Sequence, residues 1–295
     1  MNFLFLSLGM TSTIHVGSRK SDLALVQTRH VCSALEAHWP GVTCAVATME
    51  TVGDKVLDRA LQKIGDKDLW TKELDVALAR GDVAFVVHSL KDLPTVLPHG
   101  FVIGAVLQRE DPRDAVVFHP KYKDGEASLA TLPDGAVLGT SSLRRAAQLA
   151  RAFPKLKCEV VRGNLNTRLR KLDEDGSRYD ALVLAAAGLK RLGWHQRIGQ
   201  IIDKEVSLYA VGQGALAVEC RADDTETIER LKPLVHVPTL LATEAERAFL
   251  RKLEGGCSVP AGVYTHYNAE AGTLDFEVRT KKLLFNNRNA ISFPY

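Results

Sequence analysis

The chain has 295 residues, of which 46% are hydrophobic and 25% charged, enough to bury the cores of two or three domains. No apolar run reaches the length of a bilayer-spanning helix, which excludes an integral helical membrane protein. The five cysteines are scattered, without a CxxC pair or Cys/His ligand spacing. We therefore expect no disulfide framework and no metal site, and a reducing, cytoplasmic location.

The first ten residues, Met1 to Met10, contain an apolar string. They lack a basic start, a small-residue cleavage site and any arginine. We expect a disordered extension rather than a signal or transit peptide.

From Ile14 onward, short apolar runs rich in β-branched residues alternate with longer amphipathic stretches. This alternation predicts α/β layers with mostly parallel sheets. Pro112 and residues 233–238 are expected at domain boundaries. Strands are predicted at 14–16, 42–49, 83–88, 137–139, 159–161 and 181–185, and helices at 22–38, 72–80, 142–153, 165–173, 225–234 and 240–253.

The net charge of +3 is unevenly distributed along the chain. Residues 140–171 hold nine Lys and Arg against a single acid, Glu159. The middle of the chain is therefore expected to bind an anionic partner.

Four predicted strand-to-helix junctions place Ser, Thr or Asn where a helix begins, with cations beside them. A helix N-terminus is already partly positive, so basic side chains there cost stability unless an anion is bound. Junctions at the C-terminal ends of parallel strands converge on one crevice, which is where we expect the anion. The junctions are residues 17–21, 88–92, 139–145 and 162–168.

Two other interpretations of the cations stay open, a solvated basic face and a nucleic-acid patch. The second is disfavoured because no RNA-recognition, KH, zinc-finger or basic-zipper pattern is present and few aromatic residues lie near the cations.

Two residues are candidates for chemistry. Asp92 follows the strand that ends at His88, among cations that favour its ionised form. It can stabilise a developing cation or move protons, or it is an ordinary turn residue before a proline. Cys257 lies on a Gly-rich loop after a helix, whereas the other four cysteines are interpreted as small core residues.

Six motifs, in the same order, resemble those of the hydroxymethylbilane synthase (porphobilinogen deaminase) family. The resemblance runs from about residue 14 to about residue 265. The motifs are residues 16–21, 87–94, 139–148, 162–169, 211–215 and 253–260.

The resemblance implies a transferase of porphyrin and heme biosynthesis. Such an enzyme joins four porphobilinogen molecules, with loss of ammonia, on a covalent dipyrromethane primer and releases linear hydroxymethylbilane. A cytoplasmic monomer with no nucleic-acid or membrane partner is implied as well.

The implied fold has three α/β domains, the first two periplasmic-binding-protein-like with the active crevice between them. Domain 1 comprises residues 12–109 and 212–235, domain 2 residues 110–211, and domain 3 residues 236–295. The third domain is small and carries the cofactor cysteine.

The resemblance also implies residue roles. Cys257 holds dipyrromethane through a thioether, and Asp92 is the catalytic carboxylate. The cofactor-binding residues are Lys91, Ser142, Arg144, Arg145, Arg162 and Gln213, and the substrate-binding residues are Arg19, Ser21, Arg168, Arg191 and Trp70.

The chain departs from the family pattern in three places. Trp70 stands where the family usually has Phe, and Val52 replaces a common Thr or Arg. After about residue 280 the tail no longer follows the family, so the third domain is expected to be truncated or divergent. Two alternatives to an active enzyme remain at this point, a catalytically impaired variant and a non-catalytic anion-binding module of the same fold.

Overall fold

The computed structural model describes residues 12–51, 71–122, 127–253, 261–280 and the strand at 289–292. The expectations for Met1 to Met10, Val52, Trp70, Cys257 and most of the tail lie outside these residues.

Within the described residues the chain forms thirteen strands and seven α-helices. The strands are β1 Ser12–Arg19, β2 Val42–Met49, β3 Phe85–Ser89, β4 Phe101–Val106, β5 Asp114–Phe118, β6 Val137–Gly139, β7 Lys157–Glu159, β8 Ala181–Ala185, β9 Gln200–Ile201, β10 Leu216–Arg221, β11 Ala261–Asn268, β12 Thr273–Thr280 and β13 Asn289–Ser292. The helices are α1 Asp22–His38, α2 Lys72–Arg80, α3 Leu143–Ala152, α4 Leu165–Asp173, α5 Ala186–Arg191, α6 Thr225–Leu231 and α7 Val237–Lys252.

The first sheet has the strand order β2-β1-β3-β10-β4. β1 is parallel to β2 and β3, whereas β10 is antiparallel to both of its neighbours. Four of the five strands therefore run the same way. Helix α1 covers one face, where Val31 and Leu35 pack against Phe85 and Val218.

The second sheet repeats this plan with the order β7-β6-β8-β5-β9. β6 is parallel to β7 and β8, and β5 is antiparallel to β8 and β9. Its two faces are covered by separate clusters, one around Leu172 and Leu189 and one around Leu138 and Leu149. The predicted α/β class with mostly parallel sheets is confirmed by these two sheets.

The third sheet is an antiparallel meander, β11-β12-β13, with α7 packed beside it. Val263 and Leu250 join Tyr209 in a small apolar cluster. Tyr209 also forms a β-bridge with Val263, which connects the third sheet to the segment before β10.

All twelve predicted elements are present, six with the predicted bounds and six with one or both ends shifted. α7 begins at Val237 rather than at the predicted residue 240, because Pro238 occupies the first turn, where no backbone N–H is needed. β7 ends at Glu159, and the carbonyl oxygen of Val160 instead accepts a hydrogen bond from the Tyr179 hydroxyl at 2.8 Å. Strands β4, β5, β9, β10, β11, β12 and β13 and helix α5 were not predicted.

Two chain crossovers run side by side between the first and second sheets. The first leads from β4 to β5, and the second leads from β9 to β10. The Glu110 N–H donates to the Gly214 carbonyl at 3.1 Å, and the Gln213 side chain donates to the Pro112 carbonyl at 2.6 Å. Gly214 has a φ of +87°, and a Cβ there would lie 2.3 Å from the Glu110 carbonyl oxygen.

We predict that Gly214→Ala destabilises the protein by more than about 3 kcal/mol, because the methyl group adds a backbone clash to the left-handed strain. Gly176 is the matched control: its φ is +73°, but nothing lies within 4 Å of its Cβ position. Gly176→Ala should cost only about 1–2 kcal/mol. Urea unfolding of both variants measures the difference, and equal losses would contradict the close approach of the two crossovers.

Candidate active site

The turn after β3 presents two charged side chains at the edge of the first sheet. Residues Leu90–Asp92 form one turn of 3-10 helix, held by the buried Leu90 side chain and by its N–H, which donates to the Ala215 carbonyl at 3.0 Å. Lys91 is half-buried and Asp92 is exposed. Among the described residues, neither side chain has an ion-pair partner within 4 Å.

Two helices of the second sheet begin opposite this turn. Ser142 caps α3 by accepting from the Arg145 N–H at 3.4 Å, and Asn164 caps α4 by accepting from the Thr167 N–H at 2.9 Å. Arg145 and Arg168 extend from the first turns of these helices. The Arg168 Nε donates to the Gly163 carbonyl at 2.7 Å.

The charged groups of these elements lie within electrostatic reach of one another. Burial lowers the pKa of Lys91, Asp92 opposes the shift, and Arg145 and Arg168 add to it. Burial also lowers the pKa of Arg168 to about 10, with further lowering by Arg145 and Arg162 against the opposing charge of Asp92. The structure thus brings together these five predicted site residues from two sheets.

Arg144 and Arg145 share an internal carboxylate that sequence analysis did not identify. The Arg144 Nη1 and Nη2 lie 2.7 and 3.1 Å from the Asp114 oxygens, and the Arg145 Nε lies 2.9 Å from Oδ1. Burial opposes ionisation of Asp114, but the two guanidinium groups outweigh it and hold its pKa far below the ordinary value. For these two arginines, part of the compensating negative charge therefore comes from inside the protein rather than from a ligand.

Gln213 and Arg191 lie at the second crossover. The buried Gln213 amide donates to Asp114 Oδ1 at 2.8 Å, so it faces the paired arginines. The Arg191 Nη2 donates to the Gly214 carbonyl at 2.6 Å. Burial lowers the pKa of Arg191 to about 10, against the opposing charge of Glu110.

Arg19 and Ser21 lie at the junction between β1 and α1. Ser21 caps α1 by accepting from the Ala24 N–H at 3.4 Å. The next residue, Asp22, accepts from the Asn166 side-chain amide at 2.6 Å, which places this junction against the start of α4. Arg19 is half-buried at the end of β1.

A second buried carboxylate, Glu246, connects α7 to the crossovers. Its oxygens lie 2.7 and 3.1 Å from the Arg109 guanidinium, and they also accept from the Gly212 N–H at 2.7 Å and the Thr265 hydroxyl at 2.6 Å. Burial opposes the positive charge of Arg109, but Glu246 outweighs it and raises the pKa. The helix that precedes the segment with Cys257 is thereby fixed to the crossovers.

Neither a metal site nor a membrane span is found in the part of the chain that the structure describes. No group of three or more His, Cys, Asp or Glu side chains there could hold a metal ion. No helix among the same residues has the length and apolar character needed to cross a membrane.

Fold and site together define a class of protein, with two α/β lobes of mostly parallel sheets. The charged turn after β3 in one lobe is within electrostatic reach of arginines at the starts of two helices in the other. Residues 14–229 match the family model described as porphobilinogen deaminase, dipyromethane cofactor binding domain, and residues 240–288 match the porphobilinogen deaminase C-terminal domain. The chain belongs to the porphobilinogen deaminase family.

Individual relatives agree with the family models. Porphobilinogen deaminase from Synechococcus elongatus is 60% identical over 85% of this chain and 78% of the relative, and the Nostoc sp. protein is 57% identical over 87% and 78%. Among solved structures, the methionine binding protein MetQ aligns with a TM-score of 0.45 and 16% identity over 82% of this chain and 96% of MetQ. The fold assignment itself rests on the strand order described above.

We predict that Glu246→Ala lowers the free energy of unfolding by about 3–5 kcal/mol, because it leaves the buried Arg109 charge without its partner. Asp134→Ala is the control, since Asp134 forms an ion pair with Lys155 in which both side chains are exposed, by 70% for Asp134 and 73% for Lys155. That variant should lose less than about 1 kcal/mol. Denaturant unfolding at neutral pH measures both, and a small loss for Glu246→Ala would contradict its connecting role.

Proposed function

We propose that the chain is the transferase of its family, which joins four porphobilinogen molecules on a covalent dipyrromethane primer and releases linear hydroxymethylbilane. The observation that carries the proposal is the Asp92 carboxylate, which has no ion-pair partner among the described residues, lies next to Lys91 in the chain and is within electrostatic reach of Arg145 and Arg168 from the other lobe. Each porphobilinogen brings an acetate and a propionate, so the growing chain needs a crevice rich in cations.

The residues of the crevice fit a dipyrromethane primer. Lys91 and Arg168 are cations whose pKa values are lowered mainly by burial, so the carboxylates of a ligand would compensate a charge that the protein balances only in part. When bound, dipyrromethane would supply the free pyrrole carbon to which the first new unit is joined, and each later unit would be joined to the pyrrole added before it. The proposed binding residues are Cys257 through a thioether, and Lys91, Ser142, Arg144, Arg145, Arg162 and Gln213.

Among the proposed binding residues, Arg144 is limited in the hydrogen bonds that it can offer to a ligand. Both of its Nη atoms are hydrogen-bonded to Asp114. Its contribution to binding is therefore mainly the positive charge that it adds beside Arg145.

The incoming porphobilinogen is proposed to bind on the substrate-facing cations. Guanidinium groups recognise carboxylates through paired hydrogen bonds, and the Ser21 hydroxyl at the start of α1 can donate one more. Arg19 and Ser21 come from the first sheet, and Arg168 and Arg191 from the second, so the substrate bridges the lobes. The proposed set is Arg19, Ser21, Arg168, Arg191 and Trp70.

Asp92 is proposed to act on the reacting centre of the substrate. As the bond between the aminomethyl carbon and nitrogen breaks, ammonia leaves and positive charge develops on the pyrrole. An unpaired carboxylate at that point stabilises the charge, while the surrounding cations hold the peripheral carboxylates. The new carbon–carbon bond forms at the same methylene carbon, and the proton on the attacked pyrrole carbon is lost. In this proposal Asp92 accepts hydrogen bonds from the pyrrole N–H groups through this step.

The domain division is proposed as predicted: 12–109 with 212–235, then 110–211, then 236–295. It is supported by the three separate sheets and by the two adjacent crossovers. A cytoplasmic monomer of porphyrin and heme biosynthesis is part of the same proposal.

We predict that the purified chain carries a covalent adduct equal to two porphobilinogen units less two molecules of ammonia. Cys257→Ala should lack this adduct and all turnover, because no thiol is left to form the thioether. Cys158→Ala, at a half-buried cysteine of β7, should keep both. Intact mass, with a colour reaction for dipyrromethane, is the measurement. An unmodified wild-type chain would favour a non-catalytic anion-binding module or an impaired variant instead.

We predict that Asp92→Asn keeps the adduct but lowers kcat by about 100-fold or more, because the amide cannot stabilise positive charge on the substrate. The side chain is exposed, so the unfolding midpoint should stay near that of the wild type. Near-normal turnover would remove Asp92 from the proposed role.

A further inference from the structure

The carboxylate of Asp114, the first residue of β5, is fully buried and accepts five hydrogen bonds from four side chains. Arg144 donates two and Arg145 donates one, as given above. The Gln213 amide reaches Oδ1 at 2.8 Å, and the Ser207 hydroxyl reaches Oδ2 at 3.3 Å. The group thus joins the start of α3 to both crossovers.

This arrangement leaves Asp114 no capacity to bind a ligand. A carboxylate has about four lone-pair sites, and five donors already share them. Its exposed fraction is 1%, so substrate cannot reach it. Any effect of Asp114 on the reaction must pass through its partners.

Arg145 is the partner that connects Asp114 to the reacting centre. Its Nη1 donates to the Val183 carbonyl at 3.0 Å, and its Nη2 reaches the Gln213 side-chain oxygen at 3.4 Å. The same guanidinium interacts electrostatically with Asp92 on the other lobe. Arg145 therefore interacts with two carboxylates, and of these two it is hydrogen-bonded only to the buried Asp114.

The competition between the two carboxylates has a direct consequence. A buried cation without a counter-ion is strongly disfavoured and moves toward any anion in reach. If Asp114 were neutral, Asp92 would be the other carboxylate, among the described residues, whose charge attracts Arg145. Pairing there would occupy the carboxylate that the substrate needs.

We propose that Asp114 is a positioning residue that holds Arg145 and Gln213 in place and thereby keeps Asp92 unpaired and available to the substrate. The proposal rests on the proposed function, since it assigns Asp114 to the reaction in which Asp92 acts. The competing explanation is that Asp114 only balances the buried charge of Arg144.

Two mutant cycles and one structure separate these explanations. Asp114→Asn is made in the wild type, in Arg145→Gln and in Arg144→Met. For each protein, kcat, KM, the adduct mass on Cys257 and the unfolding midpoint are measured. The Arg144→Met background removes the second buried cation together with its counter-ion, which guards against a variant that fails to fold. Asp111→Asn, which removes a carboxylate from the ion pairs with Arg113 and Lys190 in the first crossover, is the matched control.

Asp114→Asn in the wild type should lower kcat on the order of tenfold, with a smaller change in KM. The loss should persist in the Arg144→Met background, where the unfolding midpoint recovers, and should largely vanish in the Arg145→Gln background, where no cation can pair with Asp92. A crystal structure of Asp114→Asn, or of the double variant, should show the Arg145 guanidinium within hydrogen-bond distance of Asp92. Asp111→Asn should retain the wild-type kcat.

A kcat loss that disappears in the Arg144→Met background would overturn the proposal, as would an Arg145 side chain that stays on Val183 and Gln213 in the variant structure. The proposed function fails separately, if the wild type itself carries no adduct and shows no turnover. A working wild type beside an unchanged Asp114→Asn variant removes only the role of Asp114.

Discussion

Two buried carboxylates hold the places where the chain passes between its sheets, and the arrangement of the crevice depends on them. Asp114 binds two guanidinium groups and the Gln213 amide, while Glu246 binds Arg109 and the Gly212 N–H. Gly212 and Gln213 are adjacent in the second crossover, so the two networks meet there. Ion pairs buried in this way specify one arrangement, because breaking either would leave a charge without a partner in the interior.

The cations of the candidate site fall into two groups, those paired with a carboxylate of the protein and those without such a partner among the described residues. Asp114 compensates Arg144 and Arg145 from within, whereas Lys91 and Arg168 have no ion-pair partner among the residues that the structure describes. Burial is the largest cause of the lowered pKa of each, because it disfavours the charged form. Under the proposed function, a molecule with several carboxylates would complete this charge balance and lie beside the exposed Asp92 carboxylate.

The sequence was sufficient to predict helix starts, because these depend on side chains within three or four residues of the helix N-terminus. α1 and α4 begin where predicted because Ser21 and Asn164 cap them within three residues. β5 and β10 were missed because Asp114 opens one and Glu219 interrupts the other, which hides their apolar character from a short window.

In the candidate site, too, residues in local motifs were predicted and residues defined by long-range contacts were not. The motifs gave Lys91, Asp92, Arg145, Arg162 and Arg168, and the structure brings these residues together from two sheets. Asp114 and Glu246 carry no local signal, since their arginine partners lie 30 and 137 positions away in the chain. No spacing rule predicts such pairs. Only the topology, with two crossovers side by side, brings them into contact.

The position of β10 has a consequence for biosynthesis. This strand lies between β3 and β4, although about 110 residues separate it from β4 in the sequence. While the polypeptide leaves the ribosome, β3 and β4 cannot pair with each other in their final places, and both keep an open hydrogen-bonding edge. The first sheet therefore cannot be completed until β10, which follows the whole second sheet in the sequence, has been translated. During this interval the open strand edges make the nascent chain prone to aggregation, and chaperone binding would protect it.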